Sequence, residues 1–296
     1  MSVPVAYLGV ILIWSTTPLA IQWSAQGASF SFAVMARMLI GLAICLLLLR
    51  ATRTAFPFTP AARRLYAISG LSMFVAMLLT YWGALHIPSG LISVIFGLSP
   101  LVTGVFAALW LSERTLTPIR IAGLALALVG LWLIFGQPWP GDGQATLGML
   151  AVVAGMTAQA LGLVWIKRLN LRASALAITT GSLGVAVPCF VLAWAVADSA
   201  QLPPDTTLRA SAAIVYLGVL GSVVGFTLYY YVIKHLDAGR VALITLVTPV
   251  TALLLGQTLN AEFIPASGWA GIALIGAGLL LYEWQALRQL RQPAIS

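Results

Sequence analysis

The sequence predicts an all-α integral membrane protein, ten transmembrane helices arranged as two inverted five-helix repeats. Three observations predict it. Hydrophobic side chains make up 61% of the chain and charged ones 7%, with a mean hydropathy of +1.02, whereas soluble domains carry about 25% charged residues. Apolar stretches of about 20 residues, the length needed to cross roughly 30 Å of hydrocarbon, follow one another from end to end of the 296 residues. The polar and helix-breaking residues of the first half recur in the second at a nearly fixed offset.

The spans run approximately over 4-22, 30-49, 65-86, 89-111, 119-136, 146-166, 175-197, 211-233, 239-259 and 266-287. Residues 65 to 112 hold no formal charge, but a single helix of that length would reach about 70 Å, over twice the bilayer. His86-Ile87-Pro88-Ser89-Gly90 divides it. A β-barrel would instead show segments of about ten residues with alternating polarity. The first span follows no basic region and has no convincing cleavage site, so it reads as a retained helix and not as a signal peptide. The longest connections, 50-64 and 198-210, are too short to fold into a catalytic domain.

Basic residues near span ends orient the chain. Thirteen of the fifteen Lys and Arg fall on the side shared by the even-numbered connections and the C-terminus, which predicts cytoplasmic termini and a multi-pass protein of a bacterial inner membrane. Arg209 lies on the opposite side and Arg37 inside a span. The net charge of +8 is thus topogenic, and no nucleic-acid partner is expected. Cys45 and Cys189 sit within apolar runs and offer neither a disulfide framework nor a metal site. The sequence contains no P-loop, no metal-spaced His/Asp/Glu cluster and no Ser/His/Asp or Cys/His set. Catalytic residues, metal and cofactor are therefore all expected to be none, and the expected partners are the lipid bilayer and a small-molecule substrate. Oligomeric state is not readable. No Asp or Glu lies deep in a span, which leaves coupling to an end-placed group, to the substrate's own ionisation, or to nothing.

The repeat divides the chain into 1-141 and 142-296. His86, Gly90, Pro100 and Glu113 correspond to His235, Gly239, Pro249 and Glu262, each offset by 149, and Gly123 and Gly130 correspond to Gly271 and Gly278 after a one-residue slip. Five spans per half is an odd number, so the second copy enters from the other side. Inverted copies about a pseudo-two-fold axis can open a central site to one side and then to the other. Pro100 and Pro249 fall about 16 Å along their spans, near the midplane, and are the candidate gating residues; packing kinks are the plainer reading of them.

Arg37 sits roughly 10 Å inside its span, where a charge is expensive and must face the interior. Two roles are open to it: receiving a substrate carboxylate, or satisfying carbonyls and snorkelling outward. Trp14, near mid-helix, either packs between helices or walls a cavity. Tyr81 and Tyr230 are related by the repeat and read either as interfacial belt residues or as gates. Ser99 and Thr245 are midplane hydroxyls, which often bond only to their own helix. Gln159 carries a primary amide that needs partners in hydrocarbon and is expected to line the cavity; Trp14, Arg37, Tyr81, Ser99, Gln159, Tyr230 and Thr245 are the candidate substrate-binding residues. Glu113 and Glu262, at span ends ahead of a helix N-terminus, read as structural, together with Gly123, Gly130, Gly271 and Gly278.

Trp14-Ser15-Thr16, Ala36-Arg37-Met38, Pro100 with Leu111-Ser112-Glu113-Arg114, and Gly123 to Gly130 resemble the EamA-type branch of the drug/metabolite transporter superfamily; Pro249 to Glu262 to Gly278 resembles its C-terminal repeat. The resemblance covers essentially the whole chain and implies a ten-helix carrier with a central cavity, often exporting amino acids or related metabolites. This chain departs from the pattern at Asn260-Ala261, where Leu-Gly is usual, and its seventh span has no counterpart of Arg37. The expected function is export of a small amphiphilic metabolite, an amino acid or derivative, by alternating access. A drug or lipid-precursor exporter, which would need a lateral opening, is the alternative, with a membrane-embedded enzyme or scaffold behind it.

Overall fold

Serine and threonine start five of the spans. The side chains of Ser29, Thr59, Thr117, Ser174 and Thr207 each accept a hydrogen bond from a backbone N–H in the first turn of the helix that follows, satisfying donors that hydrocarbon would otherwise strand. Pro60 and Pro118 sit in the first turns of their helices, where no N–H is needed. In this computed structural model residues 2–111, 117–136, 143–169, 173–236, 238–284 and 287 are described, excluding the side chains at 226, 230, 233, 234, 238, 239 and 242.

The elements are α1 (Val3–Gly27), α2 (Phe30–Ala51), α3 (Pro60–Gly83), α4 (Ser89–Gly97), α5 (Ser99–Leu111), α6 (Pro118–Phe135), α7 (Ala145–Leu169), α8 (Ala175–Ala197), α9 (Leu208–Tyr216), a π-helical segment (Leu217–Val224), α10 (Gly225–His235), α11 (Ala238–Asn260) and α12 (Ala266–Tyr282). With α4 and α5 counted as one span and α9 to α10 as another, these are ten spans. Among the described residues nine are long and apolar enough to cross a membrane, and α12 is a shorter apolar helix of 17 residues. Leu47, Trp132 and Val196 stand exposed on their flanks, as lipid solvation allows. The third span begins at Pro60, five residues before the charge-free stretch; its first turn carries Arg63 and Arg64, which end a hydropathy scan but not a capped helix.

The packing repeats itself. Exchanging the halves maps α1 on α7, α2 on α8, α3 on the α9–α10 span, α4/α5 on α11, and α6 on α12. Under that exchange α3 against α7 becomes α1 against α9 and α10, and α1 against α11 becomes α5 and α4 against α7. The α2–α8, α4–α11 and α6–α12 pairs map onto themselves. The fold is therefore two inverted copies about a pseudo-two-fold axis.

The α6–α12 pair shows this at atomic scale. A Cβ built on Gly123 would lie 2.5 Å from the carbonyl oxygen of Gly278, and one on Gly278 2.5 Å from that of Gly123. Gly130 and Gly271 meet in the same reciprocal way, at 2.5 and 2.7 Å. Two antiparallel backbones thus touch at both ends of a two-turn interval, the close approach that small residues permit in membranes. Glu113 lies outside the described residues.

The two midplane prolines behave differently. The first-half span is interrupted at Leu98, whose N–H bonds to Ile95 O at 3.0 Å, one turn tightened before Pro100. The second-half span runs unbroken through Pro249. Gly97 explains the contrast: its counterpart 149 positions on is Leu246, and glycine in a helix costs about 1 kcal/mol relative to good formers. Glycine and proline together break the helix where proline alone does not. A Cβ on Gly97 would come 3.3 Å from the Pro249 ring, so the break is also where α4 and α11 cross.

Candidate functional site

Arg37 is 5% exposed and Tyr81 0%, enclosed between α2, α3 and the π-helical segment. The guanidinium donates from Nε to Ser222 Oγ at 3.2 Å and from Nη1 to Tyr81 Oη at 3.4 Å. Both partners are neutral, and among the described residues no carboxylate pairs with it. Asp198 is engaged by Ser29 and Ser31, and Glu262 by Gly90 and Asn260. A guanidinium has five N–H donors, so Arg37 holds a buried positive charge with donors to spare.

The π-helical segment shapes this site. Ser222 Oγ donates to Leu217 O at 3.0 Å, five residues back, and Gly225 N–H reaches Leu220 O. The wider turn brings Ser222 to Arg37. Gly221 faces the guanidinium, where a Cβ would lie 3.4 Å from Nη2 and 3.8 Å from Thr17 Oγ1. π-Turns within α-helices recur at functional sites. Neither Ser222 nor this turn follows from hydropathy; the one sequence signal is the cluster Gly218, Gly221 and Gly225 around a serine.

Trp14, on α1, packs further along the α9–α10 span. Its ring meets Tyr229 with centroids 4.6 Å apart, and a Cβ on Gly225 would come 3.5 Å from its Nε1. On the same helix Ser15 hydrogen-bonds Thr251 of α11, and Thr16 Oγ1 lies 2.5 Å from Tyr216 Oη. Arg37, which Tyr81 holds, and Trp14 thus meet neighbouring turns of the α9–α10 span. Ser99, Pro100, Thr245 and Pro249 belong to a different place, the α4/α5 and α11 spans. Gln159 is half-buried on the face of α7 that carries Gly155 and Gly162, both packed on α3, with nothing joining it to Arg37. The Tyr230 side chain lies outside the described residues.

At one end of the bundle a polar network ties three spans, α1, α4 and α11, and the connections that precede α4 and follow α11. Gln22 Nε2 donates to Ile87 O at 3.1 Å and Asn260 Nδ2 to Gln22 Oε1 at 2.9 Å. Asn260 Oδ1 accepts from Trp23 Nε1 at 3.0 Å. Glu262 accepts from Asn260 Nδ2 at 3.0 Å and from Gly90 N–H, at the start of α4, at 3.3 Å. Sequence reading treats Asn260 as a mere departure from Leu-Gly; here it is the hub. Beside the site, a cleft of about 260 Å³ lies between Phe32 and Ala36 of α2 and Thr206, Ser211, Ile214 and Val215.

The EamA-like transporter family matches residues 2–136 and 146–284, one stretch in each half. A "Probable terminal-alkyne amino-acid exporter" of Streptantibioticus cattleyicolor is 30% identical over 247 residues, 79% of this chain and 78% of that protein. The "Uncharacterized inner membrane transporter YedA" of Escherichia coli K12 is 25% identical over 203 residues, 66% of this chain and 62% of the relative. A crystal structure titled only "Crystal structure of protein" superposes with a TM-score of 0.65 at 19% identity, covering 97% of this chain and 99% of its own, a likeness of fold. The inverted five-helix halves, the ten spans and the match across both halves together make this chain a member of the EamA-like transporter family, a multi-pass membrane transporter and not an enzyme.

Proposed function

We propose that the protein exports a small amphiphilic metabolite, an amino acid or derivative, across a bacterial inner membrane by alternating access, with both termini in the cytoplasm. The observation that carries this is the buried Arg37 guanidinium, held by Tyr81 and Ser222 with no carboxylate among the described residues. A carboxylate fits two of its free donors in a bidentate contact. Trp14 offers an aromatic face to the apolar part of the same molecule, and Tyr230 is proposed beside it, while Ser99, Gln159 and Thr245, which lie apart from Arg37, are proposed to line other parts of the substrate's path. The crossing of Gly97 with Pro249, beside the interruption before Pro100, is the proposed gate. The repeat boundary at 141/142 belongs to the same proposal. The inner-membrane and amino-acid parts are supported by the names of the two relatives and by the distribution of basic residues.

The test is counterflow in proteoliposomes. Vesicles are preloaded with an equimolar pool of the proteinogenic amino acids, exchange of isotope-labelled pool members is followed by mass spectrometry, and their decarboxylated amines serve as the comparison. Exchange of at least one amino acid, absent for its amine and lost in Arg37→Met, is expected. No exchange of any pool member refutes the substrate assignment. A second reading, export of an apolar drug or lipid precursor, is favoured by the cleft between α2 and the α9 span, whose Val215 wall is exposed to lipid; exchange of apolar amines alongside amino acids would select it.

A further inference from the structure

The connection between α2 and α3 gathers four arginines, Arg50, Arg53, Arg63 and Arg64, all exposed. No acidic residue occurs anywhere in residues 1–112. Among the described residues none of these four guanidinium groups makes a hydrogen bond or an ion pair, and the only ring contact is Arg63 over Phe58 at 5.7 Å. Other cations of the protein are engaged. Arg120 donates to Tyr282 O at 3.4 Å and lies over its ring at 5.0 Å, and Arg168 lies 5.1 Å over Trp165. Among the described residues, exposed guanidinium groups without a hydrogen bond or ion pair accumulate only at this connection.

The connection is also held in place. Arg53 adopts a left-handed conformation with φ of 49°, and Thr54 N–H returns to Leu49 O at 3.2 Å, turning the chain sharply off α2. Phe56 stacks on Tyr66 at 5.2 Å with an interplanar angle of 11°, and Tyr66 Oη donates to Pro57 O at 2.9 Å. Tyr66 is itself buried against Gly181 of α8, where any side chain would collide with its ring. These contacts fix a depression of about 390 Å³ lined by Pro60, Arg63, Arg64 and Ala67. Phe58, 70% exposed, stands beside it.

Depth selects the ligand. The depression lies where α2 ends and α3 begins, at the level where hydrocarbon gives way to headgroups. Exposed aromatic rings favour that boundary, and arginine forks match phosphate oxygens in pairs. A free phosphate would use the charge and leave Phe58 unemployed; a phospholipid uses both. We propose that the α2–α3 connection is a binding site for the headgroup of an anionic glycerophospholipid. Arg63 and Arg64 grip the phosphodiester in the depression, Arg50 and Arg53 add field, and Phe58 packs under the glycerol backbone. The site is independent of the transported substrate.

Lipid titration of the purified protein in maltoside detergent tests this, with thermal unfolding followed by intrinsic fluorescence of the ten tryptophans. Dioleoyl phosphatidylglycerol, dioleoyl phosphatidylcholine and inorganic phosphate are compared at equal phosphorus. The expected result is a saturable rise in unfolding temperature with phosphatidylglycerol alone. Each arginine at an anionic headgroup contributes about 1 kcal/mol, or roughly fivefold in affinity, so Arg63→Gln/Arg64→Gln should weaken the half-saturating concentration by roughly 25-fold. Arg168→Gln should leave it unchanged. Arg63→Lys/Arg64→Lys, which preserves charge but not the fork, should fall between. An unchanged midpoint in the Gln pair, an equal response to phosphatidylcholine, or full reproduction of the shift by inorganic phosphate each overturns the proposal. Should the Gln pair not fold, the Lys pair decides: binding equal to the parent overturns it, and a several-fold loss supports it.

Discussion

Replacing Arg37 by methionine separates a substrate-binding arginine from a structural one, because the two roles predict different combinations of stability and flux. Isolated charges in a protein interior cost several kcal/mol even after relaxation. Against this stand the two hydrogen bonds to Ser222 and Tyr81, each returning about 1.5–3 kcal/mol for a charged donor. Methionine of similar length removes the charge. Ser222 keeps its bond to Leu217 O, so only the Tyr81 hydroxyl is left short of a partner, at about 1–2 kcal/mol. The lost bonds and the stranded hydroxyl, about 4–8 kcal/mol together, nearly offset the several kcal/mol of relieved burial, so the Arg37→Met protein should keep the parental stability. Tm in detergent should stay within a few degrees of the parent, at roughly 2–4 °C per kcal/mol for a large domain. Amino-acid counterflow should fall by about 100-fold, the equivalent of one bidentate contact of about 3 kcal/mol. Arg37→Lys, a point charge in place of a fork, should recover only part of it. A variant with lowered Tm and parental flux would show that Arg37 braces the helices and binds nothing, and the proposed function would lose its main support.

The remaining predictions concern the frame. Gly123→Ala and Gly278→Ala should each destabilise the protein by about 1–3 kcal/mol, since each methyl group would lie 2.5 Å from the opposing carbonyl oxygen. Once one methyl has parted the backbones the second costs less, so the double variant, measured by thermal shift, should fall short of the sum; strict additivity would contradict the reciprocal contact. Pro249→Ala restores a donor to a helix that is already continuous, so Tm should hold or rise while counterflow slows several-fold, and parental flux would remove Pro249 from the gate. Glu262→Gln keeps the shape that accepts from Gly90 and Asn260 but loses the attraction of a carboxylate for the start of α4, worth about 0.3–1 kcal/mol. A Tm loss well beyond a few degrees would place more than helix capping on Glu262.

What the sequence makes legible is whatever the bilayer enforces everywhere. Length and hydropathy locate all ten spans, because a strand of backbone in hydrocarbon has no alternative to the helix. The repeat locates the glycines that meet across α6 and α12, because only glycine tolerates a backbone so close. Boundaries suffer where charge and helix overlap, as at Arg63 and Arg64 in the first turn of α3. The equality of the two prolines fails because the decisive residue is their neighbour, Gly97 in one half and Leu246 in the other. Asn260 and Ser222 stay hidden for a different reason: each acts through partners far away in sequence, Gln22 and Arg37 respectively, and no local pattern announces a contact between spans.

These hidden residues share a property that bears on mechanism. The frame obeys the two-fold exchange, helix pair by helix pair, but α8, the counterpart of α2, carries no basic residue: counted from the capping serines Ser29 and Ser174, the position equivalent to Arg37 is Ser182. A symmetric frame supplies two alternative packings of similar energy, which is what alternation between inward and outward openings requires. Symmetry alone would place two equivalent binding groups in the membrane and present the substrate with two competing orientations. A single guanidinium, held by a π-helical turn found among the described residues in the second half alone, would remove that degeneracy under the proposed function: one charged group would fix one end of the substrate, while the repeated helices around it remain free to exchange roles. On the proposed function, the asymmetric residues would determine what is bound, and the symmetric ones that it can be released on either side.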